Sequence, residues 1–260
     1  MAGPIFIAGM MQSGTSLLRK LLGCHPALFA GLETHWFSEE FQSQWRDPEA
    51  RRMSWTREFF EVDRASWGAL IEASTDATDF LDRLMTWCAR REDKRRWVEK
   101  TPDNILYARQ IWTKWPDSPL LYSVRDPRDC FASWKVNKRL PIEAFLDKWK
   151  AHRAALEELD AQEAAKVLEV RYEAVVRQPH DEMAKVCDFI GEEFFPDMAD
   201  YQGDSSDQQK VLEIAGIHST TAESLSRPIF DSSIGRFKRD LTAEEVDRVE
   251  NWMTVEDGHG

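Results

Sequence analysis

The stretch Ile5-Phe6-Ile7-Ala8-Gly9-Met10-Met11-Gln12-Ser13-Gly14-Thr15-Ser16-Leu17-Leu18 constrains this chain more than any other. Pro4 to Ala8 is an apolar run suited to a short buried strand, and Gly9 and Gly14 bracket a tight loop. Thr15 and Ser16 then open a helix in which Leu17, Leu18, Leu21 and Leu22 make one face apolar. The first N–H groups of a helix lack intrahelical partners, and the positive end of its dipole points the same way. A strand that turns this sharply into a helix therefore presents a cradle for an anion.

The spacing of Gly9, Gly14, Thr15 and Ser16 matches a phosphate loop. A nucleoside-triphosphate loop carries a lysine after its second glycine, to reach the β- and γ-phosphates; Thr15 stands there instead. A loop that keeps the cradle and lacks the lysine suits an anhydride other than ATP. On spacing alone, an ordinary strand–helix turn fits equally well.

With 260 residues, 42% hydrophobic and 31% charged, the chain has material for one sizeable α/β domain or two small ones. Its net charge of −12 argues against a general nucleic-acid or anionic-membrane surface, while leaving room for a local basic pocket. Cys24, Cys88, Cys130 and Cys187 lie far apart without a Cys-x-x-Cys pair, which predicts reduced, mostly buried thiols. No positive region precedes the first apolar run, and no stretch approaches ~18 consecutive apolar residues. These features predict neither a signal peptide nor a membrane span, and a cytoplasmic location.

After the first helix, Leu28 to Ala30 fits a second short strand leading into Gly31-Leu32-Glu33-Thr34-His35. Period-two spacing aims Glu33 and His35 into the same space, although a helix cap beside a surface histidine is the plainer alternative. Residues 38–96 change character. Tryptophans at 45, 55, 67 and 87 and helical spacing at Phe80, Leu81, Leu84, Met85 and Cys88 predict a helical insertion. Its tryptophans suit packing more readily than a ligand platform. Arg90-Arg91 and Lys94-Arg95-Arg96 form a basic run that reads as a solvated helix end.

Trp97-Val98-Glu99 is a further strand ending at Lys100, where open α/β sheets place their ligands. Asn104 to Trp115 has helical period. Leu120 to Val124 suits a central strand and delivers Arg125-Asp126-Pro127-Arg128-Asp129, which fits a two-arginine phosphate clamp or a surface ion-pair turn. Lys166 to Val170 is a last strand, ending in Arg171-Tyr172-Glu173. Gly203 to Gln209 is polar and expected to be mobile. In a parallel sheet these strand ends share one edge, so their donors and acids can meet.

In the order and content of these motifs the chain resembles the sulfotransferases that use 3′-phosphoadenosine 5′-phosphosulfate (PAPS). The likeness is to the branch that includes protein-tyrosine sulfotransferases and bacterial relatives. Gln12-Ser13-Gly14-Thr15-Ser16-Leu17 resembles the family's 5′-phosphosulfate loop, and Arg125 with Ser133 its 3′-phosphate motif. Gly31-Leu32-Glu33-Thr34-His35 is similar to the acceptor-side segment, and Glu99-Lys100-Thr101-Pro102, Arg171-Tyr172-Glu173 and the Ser233–Arg236 tail follow in order. The resemblance implies an α/β, P-loop-like three-layer fold with a central parallel sheet flanked by helices. It implies one domain over residues 1–260 with a helical insertion at about 38–96.

It further implies PAPS as co-substrate, the spent bisphosphate PAP as product, no metal, and a hydroxyl-bearing small molecule, sugar or peptide as acceptor. Donor contacts would come from Gln12, Ser13, Gly14, Thr15, Ser16, Leu17, Arg125, Ser133, Tyr172, Thr221 and Arg236. Glu33 is the expected base, with His35 second. Relatives usually carry Lys or Arg where this chain has Gln12, so Lys100 is the candidate for the missing cation. A small-molecule kinase on a related loop, and a donor-binding relative without turnover, are the competing readings.

Overall fold

A computed structural model describes residues 3–138, 141–216 and 220–257. The five strands are β1 (Ile5–Gly9), β2 (Leu28–Ala30), β3 (Arg96–Lys100), β4 (Leu120–Val124) and β5 (Val167–Arg171). They form one sheet in the order β2-β3-β1-β4-β5, and every pairing is parallel. Registers such as Ile7 opposite both Lys100 and Leu121 bring the carboxyl ends of β3, β1 and β4 to one edge. β1 lies in the middle, with the chain crossing to β3 on one side and β4 on the other. That is the switch point at which open parallel sheets bind ligands.

The alternation of β1 shows why it lies there. Phe6 and Ala8 face one core with Phe29, Trp97, Leu120 and Tyr122, while Ile5 and Ile7 face the other with Leu28, Val98 and Leu121. A strand buried on both faces must be apolar at every position, and β1 is. Helix α1 (Thr15–Gly23) packs on the second face through Leu18, Leu21 and Leu22. On the first face lie α2 (Glu39–Gln44), α3 (Arg51–Phe59), α4 (Arg64–Ala73) and α5 (Ala77–Arg91), all between β2 and β3. Trp36 and Trp67 are fully buried there, against Phe80 at centroid distances of 5.4 and 4.9 Å.

After β3, residues Pro102–Tyr107 form a 3₁₀ turn before α6 (Ala108–Lys114), so the helix expected from Asn104 starts in a tighter spiral. Next come α7 (Pro127–Lys138), α8 (Ile142–Glu157) and α9 (Ala161–Ala164), and after β5, α10 (Tyr172–Arg177) and α11 (Pro179–Ile190). The chain then runs through α12 (Ser206–Ala215), α13 (Thr220–Leu225), α14 (Phe237–Asp240) and α15 (Ala243–Asp257). Cys88, Cys130 and Cys187 are buried, Cys24 is exposed, and all four are free thiols. Burial pushes the Cys88 thiol up to about 12.

One expectation holds only in part. Arg90 and Arg91 stand in the last turn of α5, but Arg96 is not part of a solvated helix end. Arg96 opens β3 and is buried, donating to the Gly3 and Ile190 carbonyls at 2.5 and 2.6 Å and pairing with Glu192. In Gly203 to Gln209, the stretch expected to be mobile, two acids meet cations of α1. Arg19 and Lys20 are both buried; Arg19 pairs with Asp207, and Lys20 with Asp204 at 2.5 Å and Asp207 at 3.0 Å. Arg19 also donates to the Ala30 and Gly31 carbonyls, which ties this clamp to the segment after β2.

Removing one partner of a buried ion pair leaves the other uncompensated. Asp207→Asn is expected to lower stability by about 3–5 kcal/mol, measured by urea unfolding, whereas Asp47→Asn on the surface leaves the midpoint unchanged.

Candidate functional site

The loop after β1 is built from residues in conformations that few side chains favour. Gly14, immediately before α1, has φ +105°, and a Cβ there would lie 2.6 Å from Tyr172 Cδ2. Gln12 also sits in the left-handed region, at φ +71°. The Ser13 N–H donates to the Met10 carbonyl at 3.0 Å, and the Ser13 carbonyl accepts from Ser123 Oγ at 2.8 Å. Ser123, the one serine in the apolar β4 run, thus pins the loop to the neighbouring strand. Thr15, Ser16 and Leu17 form the first turn of α1, and no side chain caps that end.

Arg125 follows β4 and reaches this loop. Its Nη1 donates to the Gln12 carbonyl at 3.0 Å and its Nη2 to the Ser233 carbonyl at 2.6 Å. The guanidinium carbon lies 4.4 Å from the Tyr172 ring centroid. Ser133 on α7 donates to Gln12 Oε1 at 3.0 Å. Segments 113 positions apart in the chain therefore meet at one residue. Arg128 is turned elsewhere: it pairs with Asp126 and Glu250 and stacks on Phe237, so the expected two-arginine clamp reduces to Arg125.

The tail is held from below by Asp129, which is buried and accepts from the Gly235 and Phe237 amides at 2.7 and 3.0 Å. The sequence displays Asp129 in its Arg-Asp-Pro-Arg-Asp run, but nothing there says that it will hold residues 106 to 108 positions away. Arg236 belongs to the same tail, with its guanidinium on Asp240 at 2.8 and 2.9 Å. Thr221 is half-buried on α13, which packs against α1.

A second cluster sits beyond β2 and β3. Lys100, buried at the end of β3, donates to Glu33 Oε2, and His35 Nε2 lies 2.8 Å from Glu33 Oε1. Burial on its own would raise the Glu33 carboxyl. The charge of Lys100 and the hydrogen bond from His35 outweigh burial and hold it well below the usual carboxylate range. His35 is at φ +56°, a strained position for a non-glycine residue, and its side chain is 41% exposed. Glu33, His35 and Lys100 thus converge as one group, and the loop, Arg125, Ser133 and Tyr172 as another.

The model of the sulfotransferase family matches residues 4–197, most of the chain. This chain belongs to the sulfotransferase family. Among its relatives, protein-tyrosine sulfotransferase 2 of Gallus gallus is 26% identical over 196 residues, covering 72% of this chain and 50% of that protein. The chain thus spans about half the length of that relative. Among solved structures, the sulfotransferase domain of the Synechococcus PCC 7002 olefin synthase superposes with a TM-score of 0.71 at 19% identity, covering 98% of this chain and 96% of that one. The sulfotransferase domain from the curacin biosynthetic pathway gives 0.64 at 20% identity, covering 98% of both chains. The parallel sheet flanked by helices is the P-loop-like fold of these neighbours.

In this sulfotransferase-family chain the first cluster has the donors that a bisphosphorylated nucleotide asks for. Arg125 Nε and Ser13 Oγ are buried without a hydrogen-bond partner. Arg125 spends its other donors on neutral carbonyls and lies against an aromatic ring, so no carboxylate neutralises it through these contacts. Both features fit an anion at the loop. No helix among the described residues is long and apolar enough to cross a membrane.

Gly14→Ala combines a Cβ clash with a left-handed backbone. It is expected to lower stability by about 1–3 kcal/mol and to remove binding of adenosine 3′,5′-bisphosphate, read by calorimetry.

Proposed function

We propose that this chain transfers a sulfuryl group from PAPS to a hydroxyl of a small-molecule, sugar or peptide acceptor. The observation that supports this best is Arg125, an arginine held by neutral partners against the turn that opens α1. The donor supplies a sulfuryl group already activated as a phosphosulfate anhydride. The unpaired amides at the start of α1, with the hydroxyls of Ser13, Thr15 and Ser16, bind its 5′ end. Arg125 and Ser133 bind its 3′-phosphate, Tyr172 lies beside Arg125, and Leu17, Arg236 and Thr221 complete the donor side. The 3′-phosphate sets this donor apart from ATP.

On the acceptor side the contacts of Glu33 and His35 support a division of work between them. A carboxylate held far below the working pH is a weak base, because proton transfer is most effective when the pKa lies near that pH. Glu33, pinned by Lys100, instead orients the imidazole by accepting its Nε2–H. His35 Nδ1 is then the atom that takes the hydroxyl proton. This order reverses the one expected from the sequence, where Glu33 came first. Lys100 serves the same side: its charge is committed to Glu33, and Gln12 leaves the loop without a cation of its own.

Thermal unfolding without Mg²⁺ tests donor binding. At about 100-fold excess over Kd, adenosine 3′,5′-bisphosphate is expected to raise Tm by about 5–10 °C, and Arg125→Ala to abolish the rise. Stabilisation by ATP with Mg²⁺ alone would point to a kinase. Labelled-sulfate transfer to a panel of alcohols, sugars and tyrosine peptides then tests turnover.

The proton acceptor is legible in a pH profile of kcat. With His35 as base, His35→Gln lowers kcat by about 10²–10⁴-fold and removes the acid limb of the profile. A carboxylate base with the depressed Glu33 value would keep full activity to below about pH 4.

A further inference from the structure

Glu99 lies on β3 next to Lys100 and is 1% exposed. Every hydrogen bond it accepts comes from a neutral donor. Oε1 takes the Thr34 hydroxyl at 2.7 Å, the Thr34 amide at 3.4 Å and the Thr101 hydroxyl at 2.8 Å. Oε2 takes the Asn104 side-chain amide at 2.6 Å, and that amide also donates to the Ile7 carbonyl at 3.0 Å.

These bonds converge on the three residues that carry the acceptor-side chemistry. Thr34 stands between Glu33 and His35, and its hydroxyl, fixed by Glu99, accepts the Trp36 amide at 3.2 Å. The His35 amide donates to Thr101 Oγ1 at 2.9 Å, and Thr101 Oγ1 in turn donates to Glu99. The backbone at 34, 35 and 36 is thus tied, directly or through one hydroxyl, to a single carboxylate. Position 35 is also where the chain takes a left-handed conformation at a non-glycine residue, which persists only when its surroundings over-determine it. The other end of the same carboxylate reaches β1 through Asn104, two residues before the phosphate loop begins.

We propose that Glu99 is a positioning residue for sulfuryl transfer. It touches neither donor nor acceptor, and it sets the distance and direction of His35 and Glu33 relative to the loop. This rests on the acceptor-side reading given above. Misplacing a catalytic group by about 1 Å costs on the order of 100-fold in rate, so a hub of this kind acts on kcat and leaves donor binding alone.

The test uses Glu99→Gln, Thr101→Val and Thr101→Ser in the full chain, with two measurements on each. Hydrogen exchange at the 34–36 amides is expected to accelerate by at least about tenfold in Glu99→Gln and Thr101→Val, with α1 and β1 unchanged. In the same variants kcat falls about 10- to 100-fold, with the adenosine 3′,5′-bisphosphate Kd within about twofold of wild type. Thr101→Ser, which keeps the hydroxyl, restores both. Unchanged exchange in Glu99→Gln overturns the proposal whatever the activity. Faster exchange with an undiminished kcat overturns it as well, as does a parallel loss of nucleotide affinity. A wild-type chain that sulfates no acceptor, while exchange responds as expected, counts against the transferase reading and not against the hub.

Discussion

The turn from β1 into α1 must leave its amides unpaired, and the rest of the molecule is arranged so that it can. Unsatisfied N–H groups are tolerated at a helix start only if something polar can meet them. Gly14 supplies the left-handed step, Tyr172 closes over it, and Ser123 holds the loop from the next strand. Arg125 then adds a full positive charge within hydrogen-bonding distance of the loop backbone. Two half-measures, partial charges from the helix and one guanidinium held by carbonyls, combine into one positive region at the loop.

Charge is the second organising constraint. The chain carries −12 overall, yet the cations near the site are handled one by one. Arg128, Arg236 and Lys100 each meet a carboxylate, whereas Arg125 meets carbonyls and a ring. Net charge says nothing about this difference. It arises from which strand end each residue leaves and which way the next helix turns. The same logic separates the two clusters between adjacent strands: β1 and β4 deliver the loop and Arg125, while β3 delivers Lys100 and Glu99 toward the segment after β2.

Much of this was legible in the amino-acid sequence, for identifiable reasons. The strands around the centre are short apolar runs with turn residues after them, so their ends, and the groups those ends carry, could be placed without coordinates. The strand-to-helix loop announced itself through two glycines and a hydroxyl pair. What escaped was long-range pairing. Arg96 read as solvated because Gly3, Ile190 and Glu192 are remote in sequence. The acids of Gly203 to Gln209 gave no sign of their partners, which lie on α1. Asp129 and Glu99 stood inside recognised motifs, but their neutral partners leave no charge pattern to read.

The clamp at the far end of α1 has a bearing on how the fold is bounded. The match to the family model ends at residue 197, whereas Asp204 and Asp207 lie beyond it. Shortening the polypeptide at that limit would strip Arg19 and Lys20 of these counter-ions in the shelter of the edge strand, one and a half turns from the start of α1. The charge balance inside α1 thus rests on residues outside the matched stretch.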